Sequence, residues 1–88
     1  MTSNKETITA LIIDDEQPAR DVIRRFLDDY PGITLLAECE DGFEGARRIL
    51  RDKPDLVFLD VQMPRVNGFE MLELLDDKPV IIFSTAYH

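Results

Sequence analysis

Two short apolar runs, each closed by carboxylates, constrain this chain more than any other feature. Ile8–Ile13 reads Ile-Thr-Ala-Leu-Ile-Ile and leads into Asp14-Asp15-Glu16, while Leu56–Leu59 reads Leu-Val-Phe-Leu and leads into Asp60. Runs this short, without polar alternation, suit strands covered on both faces, as in a parallel sheet between helical layers. A carboxylate that closes such a strand has left the core and sits at the strand's carboxyl end. In open parallel α/β sheets that end is where ligands and chemistry collect. Asp14, Asp15 and Asp60 are therefore expected on one rim.

The intervening segments read as helices and further strands. Pro18 stands where a first helical turn would begin, and its missing N–H costs nothing there. Ala19, Val22, Ile23, Phe26 and Leu27 follow at amphipathic spacing, and Tyr30-Pro31-Gly32 stops the helix. Ile33–Cys39 is a second strand. Gly42, Ala46, Ile49 and Leu50 form a second helical stripe, ended by Lys53-Pro54. Residues 60–67 form a loop carrying Met63-Pro64, and Asn67 caps a third helix marked by Gly68, Met71, Leu72 and Leu75. Residues 79–83 are a fourth strand, followed by Ser84-Thr85-Ala86. The order β-α-β-α-β-α-β predicts parallel pairing through right-handed crossovers. Ser84-Thr85 then joins the acids on the carboxyl rim.

Composition narrows the function classes. At 88 residues one domain is expected, and 44% hydrophobic with 32% charged residues fits a folded domain rather than a disordered chain. The formal net charge of -8 argues against nucleic-acid or anionic-membrane binding by this segment, since both need clustered Lys and Arg. Cys39 is the one cysteine, so no internal disulfide forms; it reads as a small buried apolar residue, compatible with a cytoplasmic location. No apolar stretch is long enough to cross a bilayer. Residues 1–7 are polar, lack a signal-peptide core and read as a flexible N-terminal segment.

Three carboxylates on one rim carry a chemical implication. Two of them about 4 Å apart repel by roughly 4 kcal/mol at an effective dielectric near 20, so three require a proton or a cation. Hard oxygen donors favour Mg²⁺, which shares its sites with phosphate oxygens. An Asp beside that cation can act as a nucleophile and form an aspartyl-phosphate, and a Thr85 hydroxyl can turn toward a new phosphoryl oxygen. Each residue alone has an ordinary reading: a solvated strand–helix turn for Asp14-Asp15, a polar loop opener for Asp60, a structural hydroxyl for Thr85. Their conjunction on one predicted rim is harder to obtain by accident.

Ile12-Ile13-Asp14-Asp15-Glu16, Leu59-Asp60-Val61-Gln62-Met63-Pro64, Asn67-Gly68-Phe69-Glu70 and Ser84-Thr85-Ala86 together resemble the receiver domain of bacterial two-component response regulators. The resemblance covers nearly the whole chain after residue 7. It implies an α/β, flavodoxin-like, doubly wound parallel sheet with strand order 2-1-3-4. It further implies that Asp60 is the phosphoacceptor for a sensor histidine kinase and that Asp15 ligates Mg²⁺ directly. Asp14 would act mainly through water, Asp60 and the Gln62 backbone carbonyl would complete the coordination, and Thr85 would be the switch hydroxyl. Met63-Pro64 and Gly68 would shape the loop, and residues 18–22 would face the kinase. On this reading the chain is a phosphoacceptor signalling domain rather than an enzyme, with at most self-catalysed phosphotransfer and dephosphorylation. The short loop before the fourth strand and the ending Thr85-Ala86-Tyr87 resemble receivers that precede a LytTR-type DNA-binding domain. Transcriptional output through DNA would then belong to a domain outside this segment.

The family pattern has five strands and five helices, so residues 8–88 are expected to be a partial receiver lacking the fourth helix, fifth strand and fifth helix. The Lys that ends the family's fifth strand has no counterpart here; Lys78-Pro79 precedes the fourth strand and belongs to the opposite rim. An uncovered fourth strand would be an apolar edge, a template for self-association. Three competing functions can be weighed. A haloacid-dehalogenase-type Mg²⁺-dependent phosphatase needs a second acid two residues after its Asp nucleophile, where this chain has Gln62. A dinucleotide-binding enzyme needs a glycine-rich turn after the first strand, where this chain has Asp-Asp-Glu. The third is a phosphorylation-independent interaction module that kept the receiver shape.

Overall fold

Four strands, β1 (Ile8–Ile13), β2 (Ile33–Cys39), β3 (Leu56–Leu59) and β4 (Val80–Phe83), alternate with α1 (Gln17–Leu27), α2 (Gly42–Asp52) and α3 (Gly68–Glu73). The computed structural model describes residues 7–63 and 65–84. The strands form one parallel sheet in the order β2-β1-β3-β4, the expected doubly wound arrangement. The expectations for a flexible start at residues 1–6, for Pro64 and for Thr85 lie outside the described residues.

The uninterrupted apolar runs have the expected cause. Along β1, Leu11 and Ile13 enter a core with Cys39, Ala46, Ile49, Val57, Leu59, Met63, Met71 and Leu75 beneath α2 and α3. Ala10 and Ile12 point the other way and pack with Leu27 and Phe58 beneath α1. Both faces of the two central strands are covered, so neither face needs polar residues. Cys39 is fully buried, as expected for a small apolar side chain, and burial pushes its thiol up to about 11.

Two helical stripes differ from expectation. On α1 Leu27 is buried and Ala19 and Ile23 are half-buried, but Val22 and Phe26 are 59% and 54% exposed. The inward face is instead centred on Arg20, Ile23 and Leu27, at i, i+3 and i+7, and Arg20 is only 5% exposed. Phe26 covers itself against Tyr30, with ring centroids 5.0 Å apart. On α2 Leu50 points outward, and Gly45 takes a buried place beside Gly42, Ala46 and Ile49.

The helix ends follow local chemistry. The Asp41 side chain caps α2 by accepting from the Glu44 N–H at 2.8 Å. The helix stops at Lys53, whose φ of 47° is left-handed, just before Pro54. Asn67 caps α3 with a full capping box: Glu70 N–H donates to its side chain at 2.8 Å, and its own N–H donates to Glu70 at 3.0 Å.

The amino ends of β1 and β3 are joined by a reciprocal clamp. The Thr9 N–H and hydroxyl both donate to Asp55 Oδ2, at 2.8 and 3.0 Å, and the Asp55 N–H donates back to the Thr9 hydroxyl at 3.1 Å. This fixes the β1–β3 register that sets which residues reach the opposite rim. Among the described residues β4 is an edge strand, with Val80, Ile82 and Phe83 exposed. No helix of the described residues is long and apolar enough to cross a membrane.

Candidate functional site

The strand order reverses direction between β1 and β3, because β2 lies outside β1 and β4 outside β3. Such a reversal opens a crevice at the carboxyl ends of the two central strands. Asp14 follows β1 and Asp60 follows β3, so both acids flank this crevice. The sheet ladder continues through them: the Asp14 N–H donates to the Cys39 carbonyl at 3.0 Å, and the Asp60 N–H donates to the Ile13 carbonyl at 2.9 Å. The Ser84 N–H donates to the Leu59 carbonyl at 2.8 Å and brings the end of β4 to the same rim.

The two carboxylates are held in matching local turns. Asp14 Oδ1 accepts from the Glu16 N–H at 2.9 Å, and Asp60 Oδ1 accepts from the Gln62 N–H at 3.0 Å. Carboxylate oxygens of Asp14, Asp15 and Asp60 all lie within 4.8 Å of one another. Asp14 is 4% exposed, Asp60 is half-buried and Asp15 faces solvent. The expected convergence of the three acids is therefore present.

Their electrostatics are those of an under-compensated cluster. Burial raises the Asp14 carboxyl from 3.8 to about 6, and repulsion from Asp60, Asp15 and Glu16 adds to the rise; the Glu16 N–H opposes it. Asp60 is raised as well, by burial first and then by Asp15 and Glu16, while the Gln62 N–H and a hydrogen bond with Asp14 pull it down. The ion pairs of the described residues leave all three side chains out. An all-oxygen donor set with this charge fits a hard divalent cation, which would compensate the repulsion among the three carboxylates.

The remaining expected site residues stand as follows. Gln62 orients Asp60 through its N–H. Thr85 lies outside the described residues. Lys78 sits at the opposite rim, where its Nζ donates to the Leu75 carbonyl at 3.0 Å. A cleft of about 340 Å³ at that rim, whose lining includes Ile49, Leu50, Lys53, Asp76, Asp77 and Lys78, lies away from Asp14, Asp15 and Asp60.

The structure gives a steric reason for Gly68, expected to shape the loop, and adds one residue, Arg20, that the sequence did not single out. A Cβ on Gly68 would come within 2.8 Å of the Asp60 carbonyl oxygen and 3.0 Å of the Val61 Cα, so only glycine lets α3 start this close to the loop. Arg20 Nη1 donates to the Asp14 carbonyl at 2.6 Å. A signal for Arg20 existed: it shares a helical face with Ile23 and Leu27, and Glu38, its partner on β2, is an acid inside an otherwise apolar run.

Comparison with known proteins agrees with this geometry. The sequence profile described as the response regulator receiver domain matches residues 10–88. An uncharacterized response regulatory protein of Yersinia pestis is 46% identical over 82 residues, covering 91% of this chain and 34% of the relative. The transcriptional regulatory protein BtsR of Escherichia coli strain K12 is 43% identical over 82 residues, with the same shares of 91% and 34%. The chain thus spans about a third of the length of these curated relatives. Among solved structures, the response regulator domain of Thermotoga maritima CheB superposes with a TM-score of 0.82 at 30% identity, covering 90% of this chain and 60% of that one. The REC domain of AraT, a response regulator from Geobacillus stearothermophilus, gives 0.81 at 32% identity, covering 92% and 66%. With a doubly wound sheet of order β2-β1-β3-β4, an acidic crevice at its switch point and a family match over nearly all of its length, this chain belongs to the response regulator receiver domain family.

Proposed function

We propose that this receiver accepts a phosphoryl group on Asp60 from the phosphohistidine of a sensor histidine kinase, with Mg²⁺ bound by the acidic crevice. The supporting observation is the convergence of Asp14, Asp15 and Asp60 carboxylate oxygens within 4.8 Å at the switch point. Asp14, Asp15 and Asp60 would hold the cation with the Gln62 carbonyl, and Thr85 would supply the hydroxyl that follows the phosphoryl group. When bound, Mg²⁺ neutralises charge on the crevice and on the incoming phosphoryl oxygens. The chain's part is positional: the Gln62 N–H holds Asp60 Oδ1 and so aims the carboxylate, and the Asp14 turn keeps a second acid beside it. An Asp60 oxygen attacks phosphorus as the donor's P–N bond breaks, and the leaving imidazole nitrogen takes up a proton.

This is signal transduction rather than turnover, and the acyl phosphate shifts the population of an output-competent conformation. Pro18 and Val22 at the start of α1 are solvent-facing and form the surface offered to the kinase. In this reading residues 8–88 carry the receiver through its fourth strand. The remaining elements and a DNA-binding output domain, of LytTR type, act alongside it in a cytoplasmic transcription regulator. The acidic segment itself contacts no DNA and no membrane.

Incubation with acetyl phosphate and Mg²⁺ is expected to add one phosphoryl group by intact mass, and Asp60→Asn is expected to add none. Absence of added mass on the unmutated protein would leave the phosphorylation-independent interaction module as the better reading. Among the described residues β4 is an open edge, and where no further strand covers it the exposed Val80, Ile82 and Phe83 favour pairing between copies of this segment. Light scattering behind size exclusion is expected to show association that rises with concentration; a monomer at all concentrations counts against it.

A further inference from the structure

We propose that Arg20 is a positioning residue for the cation site, holding the turn that carries Asp14 and Asp15 in its ligating shape. The inference rests on the reading of Mg²⁺ binding given above.

Arg20 is 5% exposed although it lies on a surface helix. A buried guanidinium is tolerated only when its donors are satisfied. Here each bond reaches a different element. Nη1 donates to the Asp14 carbonyl in the β1–α1 turn at 2.6 Å, Nε donates to Glu38 Oε1 on β2 at 3.2 Å, and Nη2 donates to Gln17 Oε1 on α1 at 2.7 Å. A residue that merely fastened α1 to the sheet would need only the Glu38 bond. The shortest of the three instead ends on the backbone of a cluster carboxylate.

That bond completes the fixation of Asp14. Its N–H is tied to Cys39, its carboxylate accepts from Glu16, and its carbonyl accepts from Arg20. Because the peptide unit is planar, fixing the Asp14 carbonyl also fixes the N–H end of Asp15. The two acids are thus held together against their mutual repulsion before a cation arrives. A planar fork with five N–H donors can bond three acceptors in three directions at once; an ammonium on a flexible stem does so poorly. Glu38 does not depend on Arg20 alone, because its Oε2 also accepts from Arg24 Nη1 at 2.9 Å. Loss of Arg20 therefore acts chiefly on the turn.

The test is Mg²⁺ titration by calorimetry on the unmutated protein, Arg20→Met, Arg20→Lys and Leu27→Ala, with metal-free unfolding midpoints measured beside it. Groups that orient metal ligands are worth about 10–100-fold in affinity, so Arg20→Met should weaken Mg²⁺ binding at least about ten-fold, and Arg20→Lys should recover part of that loss. Leu27→Ala loosens the same helix by removing a buried side chain remote from the turn; it should lower the midpoint yet leave the Kd within about two-fold. Arg20→Met binding as tightly as the unmutated protein would overturn the assignment while leaving the cation site standing. An equal loss in Leu27→Ala would overturn it too, by showing that helix stability alone sets the affinity. Should Arg20→Met not fold, Arg20→Lys carries the decision, and an unchanged Kd there defeats the proposal. If the unmutated protein binds no Mg²⁺, both this inference and the reading of the site fall together.

Discussion

Replacing Asp14 by Asn is expected to raise the metal-free unfolding midpoint at neutral pH and to remove most of the stabilisation that Mg²⁺ provides. The Asp14 carboxyl is raised from 3.8 to about 6 in the folded protein, so between those values the folded state binds more protons than the unfolded chain. Stability from this group therefore declines as pH rises from about 4 to about 6 and stays low above that window, where a buried carboxylate faces Asp60 and Asp15 uncompensated. Asn keeps the shape and a carbonyl oxygen for the Glu16 N–H but carries no charge. The midpoint should then rise by several degrees, since a kcal/mol is about 4–8 °C for a domain of this size. Its decline over the same pH window should flatten.

The cation is expected to stabilise the unmutated protein and to do little for the variant. At a hundredfold excess over Kd a bound ligand adds about 2.7 kcal/mol, on the order of 10 °C or more here. The unmutated protein should show that shift at neutral pH and a smaller one near pH 5, where Asp14 holds its proton. Asp14→Asn should show little of it at either pH. Circular dichroism melts in chelator and in Mg²⁺ decide the matter. An unchanged metal-free midpoint together with a full Mg²⁺ shift in the variant would remove Asp14 from the site.

Gly45→Ala is expected to destabilise the fold even though alanine is the better helix former. Among the described residues no glycine has a positive φ, so Gly45 is needed for space rather than for backbone freedom. A Cβ there would meet three atoms of the fully buried Ile13 side chain, the nearest at 2.5 Å from Cδ1 and the next at 3.0 Å from Cγ1. Overpacking of this kind costs about 1–3 kcal/mol. Relief of the glycine penalty in a helix returns at most about 1 kcal/mol. The net loss should fall on the end of β1, next to Asp14, so the Mg²⁺ affinity should drop with the midpoint. Ile13→Val removes Cδ1 and alone costs about 0.5–1.5 kcal/mol. Combined with Gly45→Ala it should cost less than the sum of the two, since contacting residues couple. Strict additivity in denaturant melts would contradict the close approach of α2 to β1.

What the sequence revealed depended on whether the determinant was local. The apolar runs of β1 and β3, the Asn67 cap and the acids closing each strand are chain-neighbour patterns, and each appears where it was expected. The inward face of α1 was less legible. Val22 and Phe26 fit an amphipathic stripe by spacing, yet the helix is rotated so that Arg20 turns inward toward Glu38, eighteen residues away. The spacing of Arg20 with Ile23 and Leu27 hints at this face, but only the distant partner Glu38 distinguishes a buried paired arginine from a solvated one. The need for glycine at position 45 is likewise invisible in sequence, and at position 68 the resemblance named the residue but not its steric cause, because these arise from Ile13 and from the Asp60 backbone. The cluster itself was legible because parallel topology sends strand ends to one rim, which turns three separate carboxylates into one site.

The central claim is that Asp60 carries the phosphoryl group and that the acidic crevice makes this possible. The most direct measurement is phosphorylation with acetyl phosphate in Mg²⁺ or in chelator, followed by borohydride reduction and peptide mapping, which converts an aspartyl-phosphate to homoserine. Homoserine is expected at position 60 alone, formed with Mg²⁺ and absent in chelator. Homoserine at Asp14 or Asp15, equal yield in chelator, or none at all would contradict that claim.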